Sequence, residues 1–420
     1  MTGQPTYKPR VVDRELRQKL AAMGAVLIEG AKACGKTETA RQVAASEVLL
    51  DVDENARQAV SVDPGLILEG KTPRLLDEWQ LEPSIWDHVR RSVDDRGAPG
   101  QFILTGSAVP ADDVVRHTGA GRITRLRMRP MSLYEVERSP GRISLAKLLE
   151  GEPARSSHSG LTVADLAHEI AVGGWPGLRE LEEAATLDAV RGYLDEIRRV
   201  DVSRVDDTRR DPNRVRRLLQ SLARNVATPV TISTLAKDTA EFGEAVNRDT
   251  VSDYLDVLGR LMVIEDQPAW GAHLRSKYVL RSAAKRHFVD PSLAIAALRA
   301  TPERLLQDLN LFGFLFESLV IRDLRVYAQA ADAQVFHYHD SDGLEVDAIV
   351  QAAGGPWAAF EIKLGAGHVD VAAASLLKFA RRIDAEKSGD PAALGVIVGT
   401  GYGYVRDDGV MVIPIGMMGP

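Results

Sequence analysis

The sequence of 420 residues predicts an α/β protein that begins with a parallel sheet flanked by helices. The apolar run "GAVLIEG" at residues 24–30 is bounded by glycines, which is typical of a buried parallel strand. It is followed by a glycine-containing loop and by "KTETARQVAAS", where apolar residues recur at helical spacing. Two more apolar stretches, "PRLLDEWQ" at 73–80 and "QFILTGSA" at 101–108, predict further strands of this sheet.

The loop after the first predicted strand has the complete G-x-x-x-x-G-K-T spacing of a Walker A motif. Its main-chain amides and the following helix N-terminus would hold a β-phosphate. Lys36 would neutralise charge on the β- and γ-phosphates, and Thr37 would be a ligand of Mg²⁺. The predicted cofactors are therefore ATP and Mg²⁺. The predicted nucleotide-binding residues are Gly30, Ala31, Lys32, Ala33, Cys34, Gly35, Lys36, Thr37, Glu38 and Ser107.

Two acidic residues end the second predicted strand, and a hydroxyl ends the third. Asp77 would reach Mg²⁺ through water, so Thr37 and Asp77 are the predicted metal site. Glu78 would act as the base that orients the attacking water. Ser107 would sense the γ-phosphate or hold the water, or else it only caps a turn, and the sequence leaves both interpretations open.

An arginine follows the third strand in "HTGAGRITRLRMRPMSLYEV" and is a candidate for catalysis in a neighbouring subunit. Arg122 is our first choice for such a residue and Arg116 the reserve, because an arginine donated in trans stabilises the transferring phosphoryl group. A solvent-exposed arginine without a catalytic role is an equally good interpretation of either residue. Donation in trans would imply a homo-oligomer, with a ring as one form. The predicted catalytic residues are Lys36, Asp77, Glu78 and Arg122.

The middle of the chain carries a locally basic stretch. Residues 191–224 contain ten arginines and six acidic residues, against a net charge of −7 for the whole chain. A buried helical stripe is predicted for Leu218, Leu219, Leu222 and Val226, with arginines off that stripe at Arg214, Arg216, Arg217 and Arg224. Guanidinium groups match phosphate oxygens, so this helix is a candidate DNA contact. A solvated helix with intrachain ion pairs is the open alternative.

The residues that follow are typical of a winged-helix module. "TISTLAKDTA" predicts a short helix capped by Ser233 or Thr234, and "NRDTVSDYLDVLGRLMVI" predicts a longer one capped by Asn247. A strand pair after residue 261 would form a wing carrying Arg275, Lys277 and Arg281. The longer helix is acidic at Asp249, Asp253 and Asp256, which disfavours deep insertion beside phosphates. DNA contact is therefore expected from the wing and the arginine helix, although winged helices also dock proteins.

Four charged residues near the C-terminus have the Asp…Glu-X-Lys layout of the PD-(D/E)XK nuclease fold. Glu317 lies on an apolar helix, Asp347 on the strand "GLEVDAIV", and Glu361 and Lys363 alternate on "AAFEIKLG". Asp347 and Glu361 would bind Mg²⁺ or Mn²⁺, and Lys363 would activate water. Glu345 would substitute for Asp347 or only add repulsion. Whether this fold cleaves or only binds DNA stays open.

The motifs together resemble a prokaryotic AAA-type ATPase family whose members carry a C-terminal domain of unknown function, number 4143. The stretches that carry the resemblance are "GAVLIEGAKACGKTETA", "RLLDEWQ", "FILTGSA", "GAGRITRLRMRPMSLYE", "GGWP", "FVDPSLA", "LFGFLFESLV" and "GLEVDAIV…AAFEIKLG". The resemblance implies an AAA-like domain at 1–140, a helical linker with a winged-helix-like domain at 141–287, and a restriction-endonuclease-like domain at 288–420.

The composition of the chain bears on its expected cellular location. No run of about 18 apolar residues is present, so no membrane segment is expected. The single cysteine excludes an internal disulfide and fits the cytoplasm. The sequence predicts a Mg²⁺-dependent ATPase that acts on DNA, as a motor or remodeller at branched or damaged duplexes. Two alternatives are a nucleotide-gated protein-interaction switch, as in signalling or toxin–antitoxin-like systems, and an ATP-regulated nuclease.

Overall fold

The computed structural model describes residues 7–107, 118–202, 210–240, 246–271 and 284–420. Its first sheet has five parallel strands in the order β2-β3-β4-β1-β5. These strands are β1 Ala25–Glu29, β2 Ser46–Leu49, β3 Arg74–Asp77, β4 Phe102–Gly106 and β5 Ile123–Arg127. The predicted α/β class with an N-terminal parallel sheet is confirmed.

Both faces of this sheet are covered by helices, which explains why its inner strands β1 and β4 are buried at nearly every position. The helices are α1 Asp13–Ala22, α2 Lys36–Arg41, α3 Glu54–Val62 and α4 Ile85–Arg96. In β1, Leu27 packs into one hydrophobic cluster with Trp79 and Trp86. Val26 and Ile28 point the other way, into a cluster with residues of α1 and α2. The position of β1 between β4 and β5 fixes the place of the loop that follows it.

The middle of the chain is mainly helical. Its helices are α5 Leu145–Leu149, α6 Val163–Val172, α7 Glu183–Glu196, the π-helical turn Ile197–Asp201, α8 Pro212–Arg224, α9 Ile232–Thr239 and α10 Arg248–Arg260. The short strands β7 Ile264–Gln267 and β8 Lys285–Phe288 then pair antiparallel. The four residues of the predicted helical stripe are all buried.

Two helix caps were predicted in this region, with different outcomes. Asn247 caps α10, as predicted, because its side chain accepts from the main-chain N–H of Asp249. The prediction of Ser233 or Thr234 for α9 is wrong: Thr231 caps this helix by accepting from the N–H of Thr234. Three hydroxyl-bearing residues within four positions, Thr231, Ser233 and Thr234, give several acceptable caps near the start of this helix, and packing selects one. The predicted wing residues Arg275, Lys277 and Arg281 lie outside the described residues.

The C-terminal part forms a second sheet in the order β13-β14-β12-β11-β10-β9. The strands are β9 Ala333–His339, β10 Glu345–Ala352, β11 Trp357–Lys363, β12 Ala393–Val398, β13 Tyr404–Val405 and β14 Met411–Pro414. The helices are α11 Pro291–Leu298, α12 Pro302–Gln307, α13 Leu309–Ala330, α14 Val369–Arg382 and α15 Ala385–Ser388. Strands β9, β10 and β11 are antiparallel neighbours, and β12 pairs parallel with β11.

The chain end returns to the segment that follows the first sheet. The strand β15 Met418–Gly419 pairs parallel with β6 Ile143–Ser144. One continuous hydrophobic core joins α13, the middle helices and one face of the second sheet. The middle and C-terminal parts therefore share their packing. Among the helices of the described segments, none has the length and apolar character needed to cross a membrane.

Candidate functional site

The loop at residues 30–37 leaves the carboxyl end of β1, in the middle of the first sheet, and leads into α2. Two of its residues have left-handed backbone conformations, Ala33 with φ 60° and Gly35 with φ 102°. Gly30 has no room for a side chain, because a Cβ there would lie 2.3 Å from the carbonyl oxygen of Met128. The loop is therefore pressed against the segment that follows β5.

Lys36 is buried within this loop. Its Nζ donates to the carbonyl oxygens of Gly30 at 2.9 Å and Ala31 at 3.0 Å. An ammonium has three donor hydrogens, so these two bonds leave one donor to be used. The side chain is thus held in the concavity of the loop, where an anion resting on the loop amides would meet its charge.

Thr37 and Asp77 meet at the same edge of the sheet. The Thr37 hydroxyl donates to Asp77 Oδ1 at 2.9 Å, and the Thr105 hydroxyl donates to the same oxygen. Burial raises the pKa of Asp77, and the negative charges of Glu78 and Asp51 add to this rise, whereas the two threonine hydrogen bonds oppose it. A buried carboxylate near other carboxylates favours the approach of a cation, and oxygen donors suit Mg²⁺.

Glu78 and Ser107 are paired next to this position. The Ser107 hydroxyl donates to Glu78 Oε2 at 3.1 Å, and the side-chain amide of Gln80 donates to the same oxygen. Glu78 has a left-handed backbone conformation, with φ 55°, which turns its side chain away from the strand direction. Gln80 Oε1 is buried and has no hydrogen-bond partner within the described segments. Gln80 is a site residue that the sequence interpretation missed, although it lies close to the predicted Asp77 and Glu78.

The remaining predicted loop residues have different surroundings. Lys32 forms an ion pair with Asp201, with Nζ 2.5 Å from Oδ1, and its main-chain N–H donates to the Tyr193 hydroxyl. The carbonyl oxygen of Cys34 accepts from the buried guanidinium of Arg10 at 2.8 Å. The side chain of Glu38 instead points to an exposed ion pair with Arg41 at 2.6 Å, so only its main chain lies at the loop.

Arg10 holds the loop from the N-terminal side, and sequence reasoning did not find it. It donates to Glu135 Oε1 at 3.0 Å and to the carbonyl oxygen of Arg129 at 2.7 Å, in addition to Cys34. Glu135 in turn accepts from the N–H of Val11 at 2.9 Å. No motif in the sequence signals these contacts, because the two ion-pair partners are 125 residues apart.

Arg122 lies just before β5, at the amino end of the sheet, whereas the loop at residues 30–37 lies at the carboxyl end. Its Nε donates to Asp94 Oδ1 at 2.8 Å, and both side chains are 43% exposed. The structure therefore does not bring Arg122 together with Lys36 and Asp77 in one chain. The reserve residue Arg116 lies outside the described residues.

The four charged residues predicted near the C-terminus do come together. Lys363 Nζ lies 3.1 Å from Asp347 Oδ2 and 2.7 Å from Glu361 Oε2. The main-chain N–H of Ile362 also donates to Asp347 Oδ2, at 2.8 Å. Glu345 is exposed and pairs with His339 across the strands instead of joining this group.

Lys285, from β8, adds a second ammonium that the sequence interpretation missed. Its Nζ lies 2.8 Å from Glu317 Oε1 and 3.6 Å from Asp347 Oδ1, and the residue is 6% exposed. Lys285 thus bridges Glu317 to Asp347, and Lys363 bridges Asp347 to Glu361. We call these five residues, Glu317, Asp347, Glu361, Lys285 and Lys363, the lysine–carboxylate cluster.

Burial and the repulsion between carboxylates raise the pKa values of two carboxyl groups in this cluster, whereas the lysine charges lower the pKa of the third. Burial, assisted by the charge of Asp347, raises the pKa of Glu317 to about 7 and that of Glu361 to about 8. Burial also opposes ionisation of Asp347, but the ammonium groups of Lys285 and Lys363 outweigh it and lower the pKa. The same carboxylates raise the pKa of Lys285 against the effect of its own burial.

The cluster does not fit a divalent cation. No three carboxylate, imidazole or thiol groups within the part of the chain that the structure describes are grouped closely enough to hold a metal ion. The ammonium groups of Lys285 and Lys363 already pair with these three carboxylates from within the protein. The prediction that Asp347 and Glu361 bind Mg²⁺ or Mn²⁺ therefore lacks a suitable site in this arrangement.

A parallel sheet with a Walker A loop after an inner strand defines the class of P-loop nucleotide-binding proteins. Residues 23–137 match the model of an AAA domain, and residues 312–418 match a domain of unknown function, DUF4143. Between them, residues 163–304 match a further domain of unknown function, DUF8612. The predicted resemblance is confirmed, because the AAA model matches near the N-terminus and the DUF4143 model matches near the C-terminus. The boundaries predicted at 140 and 287 stay predictions.

The uncharacterised proteins Mb2031c of Mycobacterium bovis and Rv2008c of Mycobacterium tuberculosis are similar along most of the chain. Each is 26% identical over 360 residues, which is 83% of this chain and 72% of the relative. Among solved structures, the Walker-type ATPase PABY2304 of Pyrococcus abyssi is 15% identical, with a TM-score of 0.42, over 71% of this chain and 100% of its own. The Aeropyrum pernix ORC1 protein in complex with DNA is also 15% identical, with a TM-score of 0.25, over 73% of this chain and 96% of its own.

Proposed function

We propose that the protein is a Mg²⁺-dependent ATPase that couples ATP hydrolysis to DNA. One observation carries the ATPase part: Lys36, the Thr37–Asp77 pair and the Glu78–Ser107 pair converge at the carboxyl edge of one parallel sheet. Ligands of open α/β sheets bind at this edge, where loops after neighbouring strands meet.

Each of these residues has a separate task in the proposed reaction. Lys36 and the loop amides bind and orient the phosphates. Thr37 and Asp77 supply the oxygen ligands and water contacts for Mg²⁺, which neutralises phosphate charge when bound. Glu78 accepts the proton of the attacking water, and Ser107 holds the Glu78 carboxylate in place through its 3.1 Å hydrogen bond.

The ATPase proposal is tested with two variants that separate binding from chemistry. Lys36→Ala is expected to abolish hydrolysis and to weaken ATP binding, because it removes the ammonium from the phosphate loop. Glu78→Gln is expected to abolish hydrolysis while ATP binding persists. Lys71→Ala, at an exposed lysine, is the matched control and should leave both unchanged. Hydrolysis at the parental rate by Lys36→Ala, measured as phosphate release, would contradict the proposal.

The proposed DNA contact uses the arginines of α8 and the wing. Arg216 and Arg224 are exposed on α8, opposite its buried leucines. Arg217, by contrast, donates to the carbonyl oxygen of Ala240 at 2.8 Å, so it supports the fold. Phosphate release with duplex, forked and four-way junction DNA should exceed the rate without DNA, and the gain should fall with added salt. Equal rates with all these DNAs and without DNA would contradict DNA coupling.

The acidic surface of α10 supports a second candidate, a nucleotide-gated switch that binds another protein. Asp249 and Asp256 are exposed on this helix, and Asp253 pairs with the buried Arg210, with Asp253 Oδ2 3.0 Å from Nη2. This surface repels phosphate and would suit a basic protein partner. Very slow turnover with tightly retained nucleotide, and no salt-dependent DNA binding, would select this candidate.

The proposed fold of the C-terminal part is restriction-endonuclease-like. The order of α13, three antiparallel-connected strands β9 to β11, α14 and the parallel strand β12 supports this proposal. DNA cleavage is not part of the proposal, because Lys285 and Lys363 neutralise the carboxylates that would have to bind the metal ion.

A further inference from the structure

A polar cleft of about 900 Å³ lies between the first sheet, α13 and the second sheet. It is distinct from the phosphate loop, since no residue of 30–37 lines it. The basic residues of its lining are Arg125, Arg127, Arg129, Arg325 and Lys387. A smaller hollow of about 550 Å³ shares Arg127, Glu265 and Asp266 with the cleft. Residues 125, 127 and 129 alternate along the chain, as side chains on one face of a strand do.

These guanidinium groups outnumber the carboxylates that pair with them. Arg129 binds Glu265 with two hydrogen bonds, of 2.6 and 3.0 Å, and Arg325 lies 3.5 Å from the same carboxylate. Arg125 pairs with Glu29. Arg127 Nε is buried and has no hydrogen-bond partner among the described segments. Glu265 is the carboxylate that pairs with Arg129 and Arg325, and Glu15, Asp266 and Asp332 are further acidic residues of the cleft lining.

The charges of Arg127 and Arg129 change the pKa values of two neighbouring groups, Arg325 and Glu265. Burial lowers the pKa of Arg325 to about 10, and the charges of Arg129 and Arg127 contribute to this, although Glu265 opposes it. Burial disfavours ionisation of Glu265, but the three arginines outweigh it and hold its pKa well below the ordinary value. A further anion in the cleft would relieve this repulsion.

We propose that the cleft is a phosphate-binding site with Arg127 as its anchor. Guanidinium groups form paired hydrogen bonds with phosphate oxygens, and Arg127 is held on a sheet strand with its Nε still without a partner. The phosphates come from a single nucleic-acid strand or from a free inorganic polyphosphate. The inference does not depend on ATP hydrolysis, and it assigns a function to residues that the ATPase proposal does not use.

The side chain of Arg10 connects the lining of the cleft to the phosphate loop. Arg10 donates to the carbonyl oxygen of Arg129 at 2.7 Å and to that of Cys34, in the loop, at 2.8 Å. The side chain of Arg129 lines the cleft, and its carbonyl oxygen binds Arg10, which also supports the phosphate loop. One side chain, Arg10, therefore links the cleft lining to the ATP site.

The test measures binding of inorganic tripolyphosphate and of a labelled single-stranded oligonucleotide to full-length Lys36→Ala protein. The Lys36→Ala substitution weakens phosphate binding at the ATP site, so the measured binding reports on the cleft. The result therefore does not depend on whether the ATPase proposal is correct. Adding Arg127→Gln should weaken binding about tenfold, as expected for a lost charge-assisted hydrogen bond. For the oligonucleotide, Arg127→Gln should also reduce the slope of log affinity against log salt concentration by about one, because one phosphate contact is lost.

The matched control is Arg304→Gln, an exposed arginine on α12 that does not line the cleft, and it should not change binding. Lys387→Gln, on the exposed rim, is a second variant and should weaken binding by a smaller factor. Oligonucleotide binding alone identifies a nucleic-acid strand as the source, and tripolyphosphate binding alone identifies a free polyphosphate. The proposal is overturned if neither probe binds, or if Arg127→Gln binds both as its parent does.

Discussion

The ammonium group of Lys285 lies 2.8 Å from a Glu317 oxygen and 3.6 Å from an Asp347 oxygen, deep in the protein. A mobile divalent cation is the usual counter-charge for such carboxylates in a nuclease site. Here the counter-charge is covalently attached to β8, which also belongs to the hairpin that follows α10. The cluster thus ties the middle of the chain to the second sheet and does not depend on a bound ion for neutrality.

Replacing Lys285 by methionine should destabilise the fold by about 3–5 kcal/mol near pH 8, because it leaves buried carboxylates without a partner. The loss should shrink toward pH 5. Glu317 and Glu361 have raised folded-state pKa values of about 7 and about 8, so the folded state holds protons that the unfolded chain releases. Stability from these two groups therefore falls as the pH rises from about 4.5 to about 8.

Urea denaturation of the parent and of Lys285→Met at pH 5 and pH 8 measures this difference. Lys378→Met, at an exposed lysine of α14, is the control and should cost little at either pH. A stability loss that is the same at both pH values would show that the cluster does not titrate as described. Tight Mn²⁺ binding by the unmodified protein at the cluster would show that Lys285 does not replace the metal ion.

At the scale of elements, α7 and the π-helical turn connect the middle of the chain to the phosphate loop. Tyr193 of α7 accepts a hydrogen bond from the N–H of Lys32, and Asp201 of the turn pairs with its side chain. Pro176 lies beside Gly35, 3.5 Å from the position that a Cβ would take. The segment of α7 and the π-helical turn therefore contacts the loop through Tyr193 and Asp201, and Pro176 adds a contact from the turn before α7. A movement of this segment would change the position of the phosphate loop.

The Lys32–Asp201 ion pair predicts an effect on ATP affinity. Asp201→Asn keeps the side-chain size but removes a negative charge near the phosphate loop and frees the Lys32 ammonium. We expect ATP to bind about fivefold more tightly, equivalent to about 1 kcal/mol of electrostatic free energy. Asp195→Asn is the control, because Asp195 pairs with Arg198 on the exposed side of the same helical segment. Calorimetric titration that shows unchanged or weaker binding for Asp201→Asn would contradict this role.

The sequence predicted the elements whose signals are contiguous. The strands β1, β3 and β4 contain apolar runs, and a glycine loop or polar residues follow each run closely, so Lys36, Asp77 and Ser107 could be located without a structure. The wrong cap of α9 differs from the observed Thr231 by only two or three positions. Propensity allows every hydroxyl in this stretch to cap a helix, and tertiary packing makes the choice.

The residues that could not be predicted act through distant partners. Lys285 meets Glu317 across 32 residues, and Lys32 meets Asp201 across 169 residues. Lys285 belongs to no motif, and a lysine on a short strand is normally an exposed residue. Lys32 occupies a variable position of the Walker A motif, whose spacing gives no signal for its partner Asp201. The Glu-X-Lys motif predicted the place of the cluster but not its neutrality, because the second ammonium comes from another part of the chain.

At the scale of the whole molecule, the position of Arg122 bears on assembly. Arg122 lies at the amino end of the first sheet, and the phosphate loop of the same chain lies at the carboxyl end. An arginine there reaches a γ-phosphate only if it is offered to a second copy of the chain. Its exposed pairing with Asp94 leaves it accessible for that purpose.

Donation between subunits predicts that two inactive variants restore activity in each other. Arg122→Ala should slow hydrolysis roughly 10³-fold while ATP binding persists, as for other arginines supplied in trans. Mixed with Lys36→Ala, which keeps Arg122, it should recover a measurable fraction of the parental rate, because intact loops then meet intact arginines. Arg91→Ala, at a nearby exposed arginine, should remain active alone. A full rate for Arg122→Ala, or no recovery in mixtures whose measured mass shows assembly with ATP, would contradict a shared site.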